Sequence, residues 1–157
     1  MENPAEKALR PAEIVKTYHR AIERGDWKAL EHYLSDDFIF IGPTVKPLGK
    51  RALISSQKAL WAAFPDVNFN LRIDEDKGNT IKATVRITGT HTNRLIPPFP
   101  DKFMVVEPTG KHISLEEEPA VYTIRHDKLI KQDVEPKANG GWPGIFKQLG
   151  LTYPYPE

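Results

Sequence analysis

The stretch Val67-Asn68-Phe69-Asn70-Leu71-Arg72-Ile73-Asp74 places an apolar residue at every odd position and a polar one at every even position. A two-residue period marks a β-strand with one buried and one wet face, because successive side chains leave a pleated backbone on opposite sides. Ile81, Ala83, Val85 and Ile87 repeat the pattern after a Lys77-Gly78-Asn79 turn, so the two runs predict an antiparallel hairpin. A third strand is predicted from about Lys111 to His126. Ile113 and Leu115 share one phase there and Ala120, Tyr122 and Ile124 the other, and the shift near Pro119 predicts a bulge that bends the strand sharply. Asp127-Lys128 then turns the chain into a last strand, Leu129 to Glu135.

Before Val67 the period is 3.6 instead of 2. Ile14, Val15, Tyr18, Ala21 and Ile22 form a helical stripe that starts at Pro11, a residue suited to a first turn, and ends at Gly25, suited to a C-terminal cap. Asp26 can cap a second, short helix that buries Trp27, Leu30, Tyr33 and Leu34. Phe38-Ile39-Phe40-Ile41 is a short β segment ended by Gly42-Pro43. A third helix is predicted from about Lys50 to Ala63, with Leu53, Gln57, Leu60, Trp61 and Phe64 on its stripe and Pro65-Asp66 as its stop. Helices before and antiparallel strands after define an α+β domain with the helices on one face of the sheet.

One such domain accounts for all 157 residues, with 1–10 a flexible N-terminus and 151–157 a tail. The 22 basic residues are balanced by 21 acidic ones, for a formal net charge of +1. That is no footprint for nucleic acid, which requires a phosphate-neutralising surface. The absence of cysteine excludes a disulfide framework and thiolate chemistry. The first ten residues lack the apolar run of a signal peptide and no apolar stretch reaches spanning length, so a cytoplasmic protein without a membrane partner is expected. The five histidines show no HxxxH or HExxH spacing, and no metal is expected.

Residues 94–110 stand apart. Leu95-Ile96-Pro97-Pro98-Phe99-Pro100 is apolar yet unable to join a regular ladder, which suggests a lid that closes over a ligand, with packing against a neighbouring subunit as the alternative. The apolar residues in both phases of the Ile113 to Ile124 stretch cannot all be buried by one face of a single sheet, and this predicts a homodimer through the outer face.

The order of elements resembles the nuclear transport factor 2-like superfamily, and within it the SnoaL-like polyketide cyclase or ester cyclase group, over almost the whole chain. Tyr18 lies seven residues before Gly25-Asp26, followed by Trp27, Leu30 and Ser35-Asp36-Asp37-Phe38, as in that superfamily's opening signature. Thr88-Gly89-Thr90-His91, Pro108-Thr109-Gly110-Lys111 and Gln148-Leu149-Gly150 are similar to the cyclase group. The resemblance implies a cone-shaped, strongly curved antiparallel sheet wrapped around an N-terminal long helix with two shorter helices. It also implies a cavity used by isomerases, dehydratases and cyclases, and by members that only bind. The group's acid/base aspartate falls here on Ala138 or Asn139, which carries Asn139 forward as a substrate-binding position. The tyrosine that ketosteroid isomerases place on the first helix corresponds to Tyr18, but their base aspartate corresponds to Gly42. Tyr18 is then either a donor to an enolate oxygen or a core aromatic whose hydroxyl finds a bond.

Two further residues are candidates for chemistry. His91 shares its odd-numbered phase with Ile81, Ala83, Val85 and Ile87, so unless a bulge at Gly89 reverses it the ring is expected on the concave face, where a neutral imidazole can move a proton at neutral pH; the alternative is a histidine satisfied structurally at a strand end. Among Glu116, Glu117 and Glu118, the phase of Ala120, Tyr122 and Ile124 turns Glu118 inward, with Glu116 on the same side. Desolvation there raises a carboxyl's pKa toward neutrality. Phe40, Trp61, Phe64, Tyr122 and Trp142 are expected to line the cavity, with Leu95 and Phe99 closing it from the lid. The expected function is a cofactor-independent enzyme that cyclises, isomerises or dehydrates a small hydrophobic substrate by proton transfer next to a carbonyl. A non-catalytic binding domain or a dimeric scaffold are the alternatives.

Overall fold

The computed structural model describes residues 9–42, 44 and 46–155. Most of the expected flexible N-terminus, Pro43 of the expected Gly42-Pro43 strand end and the last two tail residues lie outside them. The first helix, α1 (Pro11–Arg24), buries Ile14, Val15, Tyr18, Ala21 and Ile22, together with His19. Gly25 ends it at φ 65, and Asp26 then accepts a hydrogen bond from the Ala29 N–H to cap α2 (Trp27–Tyr33). Trp61 seals this corner. Its ring meets Trp27 edge to face at 5.8 Å, and a Cβ on Gly25 would stand 2.6 Å from it. Gly25→Ala is therefore expected to cost about 1–3 kcal/mol, from left-handed backbone and overpacking together, as read by urea unfolding.

The strand β1 (Leu34–Ile41) follows α2 directly, and β2 (Leu48–Gly49) leads into α3 (Lys50–Ala63). The sheet then continues through β3 (Arg72–Lys77), β4 (Thr80–Val85), β7 (Glu118–Arg125) and β8 (Lys128–Val134). The short pair β5 (Thr88–Thr90) and β6 (His112–Ser114) forms a sheet of its own. The large sheet runs β2-β1-β8-β7-β4-β3, antiparallel except for the β1·β8 pair, and it curves over the helices without closing into a barrel. The helices differ from the expected one long and two short: α1 and α3 have 14 residues each, and a fourth, α4 (Gly141–Gln148), is added at the end. Pro143 is compatible with α4 because it lies in the first turn, where backbone N–H groups need no intrahelical acceptor.

Two of the expected strands are interrupted. The first hairpin strand becomes regular only at Arg72, because Asn70 adopts φ 48 and its side chain donates to the Arg86 carbonyl at 2.8 Å. Residues 67–69 still cling to 86–88 through backbone bonds such as Asn68 N–H to Thr88 O at 2.9 Å. The third strand breaks between β6 and β7, where Glu116 and Glu117 are exposed. That break absorbs the phase shift, so Ile113 and Leu115 are buried in the same core as Ala120, Tyr122 and Ile124. The two phases that suggested a covered outer face are both turned inward within one chain.

The 94–110 segment is pinned at its base. Leu95 is fully buried and exchanges both backbone hydrogen bonds with Val106, at 2.9 and 2.8 Å. Ile96 remains about half exposed. Phe99 packs on Phe146, Tyr153, Tyr155 and the Trp142 ring, with centroids 5.1–6.3 Å apart. Among the described residues no helix is long and apolar enough to cross a membrane.

Candidate functional site

The concave face of the sheet, α1, α3 and α4 enclose a largely apolar cavity of about 80 Å³. Its walls include Phe40, Leu53, Leu60, Val85, Val134 and Ile145, and its polar side chains are His19, Thr44, Ser56, Gln57, Glu118 and Gln132. A cavity of about 150 Å³ holds a benzene ring, so a ring-sized guest must displace part of this lining. Trp142, half-buried on α4, is held on this wall by its indole N–H to Ser56 Oγ at 3.0 Å.

Glu118 supplies the carboxyl. Antiparallel pairing sets it opposite Val85, and it is buried to 3% exposure in the phase of Ala120 and Tyr122. Burial raises its pKa above the ordinary glutamate value; the Gly141 N–H at 3.4 Å opposes this and nearby Glu116 adds to it. The carboxyl lies against the first turn of α4 so closely that a Cβ on Gly140 would stand 2.8 Å from its Cδ. Glycine at 140 is what admits the acid there.

Beside it runs a buried polar chain that the sequence analysis did not assemble. The β7·β8 register sets Tyr122 directly opposite Gln132, and α1 lays Tyr18 and His19 over both. The Tyr18 hydroxyl donates to Gln132 Oε1 at 2.6 Å, Gln132 Nε2 stands 3.5 Å from the Tyr122 oxygen, and that oxygen lies 2.6 Å from His19 Nε2. Burial pulls the His19 pKa down to about 3, so the ring is neutral at any working pH. Burial likewise raises both phenols; Tyr122 adds to the rise of Tyr18, and Glu118 adds to that of Tyr122 while the Gln132 hydrogen bond opposes it. His19 was legible in principle, since it lies four residues after Val15 and three before Ile22 on the buried stripe. Gln132 was not, because nothing local distinguishes it from any other strand glutamine.

Of the residues singled out from the sequence, Glu118, Phe40 and Trp142 line the cavity. Tyr18 and Tyr122 stand behind its wall and reach it through Gln132 and His19. Trp61 closes the α1–α2 corner, and Phe64 is buried against His91 at 5.3 Å. Leu95 is in the core, and Phe99 touches the cavity only through Trp142. Asn139 accepts a hydrogen bond from Lys147 at 2.8 Å on the surface.

His91 is fully buried, yet outside the cavity lining. Its Nδ1 accepts the Thr109 N–H at 3.2 Å and lies 3.0 Å from Thr109 Oγ1, while its own backbone bonds Lys111 and Gly110. These contacts clasp the two ends of the 94–110 segment. Strand alternation did not carry through to it, because β5 leaves the main sheet before His91. His91→Ala is expected to destabilise the fold by about 2–4 kcal/mol, the cost of a buried large-to-small change with lost hydrogen bonds, measured by denaturant unfolding.

No group of three or more metal-ligating side chains is gathered among the described residues. Among curated proteins, none matches this sequence. Solved structures share the fold at low identity. IdmH of Streptomyces antibioticus, a candidate polyketide cyclase, is 17% identical with TM-score 0.64, covering 80% of this chain and 91% of its own. A candidate polyketide cyclase of Xanthomonas campestris pv. campestris is 17% identical with TM-score 0.62, covering 90% and 98%. AclR of Streptomyces galilaeus, a candidate hydroxylase, is 17% identical with TM-score 0.65, covering 89% and 95%. The sequence model of the SnoaL-like polyketide cyclases matches residues 12–133, and with that span the chain belongs to the SnoaL-like polyketide cyclase family.

Proposed function

We propose that this chain is a cofactor-independent enzyme that moves a proton next to a carbonyl of a small hydrophobic compound, in a cyclisation, isomerisation or dehydration. The observation that carries this reading is the Glu118 carboxyl, held in a largely apolar cavity with its pKa raised by burial. A carboxyl tuned upward in this way can take a proton as general base and return it as general acid. The apolar walls exclude water from the carbanion or enolate so formed. Deuterium incorporation at the α-carbon of aryl ketones, followed by NMR, tests the reaction class, and incorporation should be lost in Glu118→Gln. A second reading, a binding domain without turnover, is favoured by the group's aspartate position, where Ala138 is exposed and Asn139 is engaged with Lys147. Ketones that raise the melting temperature without any exchange would select it.

A further inference from the structure

Two buried polar atoms of the cavity residues have no hydrogen-bond partner among the described residues: His19 Nδ1 and Gln57 Oε1. They belong to different helices, α1 and α3, and both residues line the same cavity. Buried polar groups in folded proteins are almost always paired, so two orphans on one wall set point to something polar that completes them.

The orientation of the Gln132 amide in this chain points to the hydrogen-bonding character that His19 presents. Tyr18 has a single hydroxyl proton and lies 2.6 Å from one end of the Gln132 amide. The amide oxygen is placed to accept it, and the nitrogen end faces Tyr122. That nitrogen can only donate, which makes the Tyr122 oxygen its acceptor and leaves the Tyr122 proton for His19 Nε2 at 2.6 Å. With the amide so placed, Nε2 is the lone-pair nitrogen of a neutral ring and the ring proton resides on Nδ1. The opposite tautomer would require the Gln132 amide turned end for end, or the Tyr122 oxygen accepting from both neighbours while its own proton goes unpaired.

We infer that His19 is a fixed Nδ1–H donor for an oxygen of the bound molecule and Gln57 Oε1 the acceptor for its hydroxyl or N–H, so that the cavity selects a hydroxy- or amino-carbonyl compound without negative charge. Tyr18, Gln132 and Tyr122 are positioning residues, acting on the ligand through His19. Among the described residues no lysine or arginine lines the cavity to meet an anion, and burying an unpaired charge there is unfavourable. A neutral donor of this kind polarises a carbonyl without giving up its proton, which complements a base elsewhere on the wall. The inference rests on the cavity being a ligand site, and it is independent of any turnover by Glu118.

Two measurements test it. Long-range proton–nitrogen NMR of the free protein should show His19 as the Nδ1–H tautomer, and Tyr122→Phe, which removes the donor to Nε2, should mix or reverse the tautomers while a merely structural tyrosine would leave them alone. An Nε2–H tautomer in the wild type overturns the inference. Calorimetry with 3-hydroxyacetophenone, acetophenone and ethylbenzene should give affinities in that descending order, with at least a tenfold span, and Gln57→Leu should erase the advantage of the hydroxyketone over the ketone. Equal affinities, or an advantage that survives Gln57→Leu, overturn the inference yet leave the cavity a ligand site. Binding by none of the three removes this inference and the enzyme reading together.

Discussion

Glu118→Gln is expected to lower proton-transfer turnover by about 100- to 10,000-fold, the usual contribution of a positioned acid or base, while the chain stays folded. Glutamine matches the carboxyl in shape and fits the space that Gly140 leaves, but it cannot take a proton at neutral pH. Stability should move the other way. Because burial raises the Glu118 pKa above its ordinary 4.5, the folded state holds this proton more tightly than the unfolded chain does. The stabilisation from that proton is complete below pH 4.5 and is lost as pH rises through the folded-state value. The glutamine variant has no such loss, so at pH 7 it should melt at or above the wild type, and the gap should narrow as the pH falls toward 4.5. Exchange assays and melting curves on the same samples check both parts. A variant with wild-type turnover, or one less stable than wild type at pH 7 and more stable in acid, would contradict this account of Glu118.

The largest structural effect is expected from Gly144→Ala. A Cβ at this position would lie 2.1 Å from the Asn139 carbonyl oxygen and 2.6 Å from its carbon, and both are backbone atoms that no rotamer change can move aside. The turn before α4 must shift, and with it the Gly140 carbonyl that accepts the Gly144 N–H at 3.1 Å. Two consequences follow from where α4 sits. Ile145 and Phe146 lose their seat in the core, at a cost of about 3 kcal/mol, the upper end of overpacking effects. For a domain of this size that corresponds to a melting temperature lower by about 6–12 °C. Trp142 and the Gly141 N–H also move relative to Glu118, so ligand binding should weaken along with stability. A melting temperature within about 2 °C of wild type would show that the α4 turn is more pliant than its contacts imply.

Both predictions turn on α4, the element that local reading missed. Gly140-Gly141-Trp142-Pro143-Gly144 has the composition of a turn, and as an isolated peptide it would be one, since glycine and proline oppose helix by intrinsic preference. It is helical here because Ile145, Phe146 and Leu149 find the core and because glycine alone tolerates the approach to Asn139 and Glu118. The strand break at 115–117 is a similar case. Alternation showed that a phase shift had to occur between Leu115 and Ala120, but only the curvature of the sheet decided that both sides would turn inward.

What the sequence determined by itself is what neighbouring residues decide. The apolar stripe of α1, its Gly25 end, the Asp26 cap, the span Lys50–Ala63 of α3 and the inward turn of Glu118 all depend on contacts within a few positions, where periodicity and capping chemistry act directly. What only the tertiary structure decided are the meetings between residues far apart in the chain. Tyr18 reaches Gln132 across 114 positions and His19 reaches Tyr122 across 103, so neither partner leaves a local trace. His91 shows the limit from the other side: its parity was legible, but the backbone left the main sheet before reaching it, and parity predicts a face only while the ladder that defines that face continues.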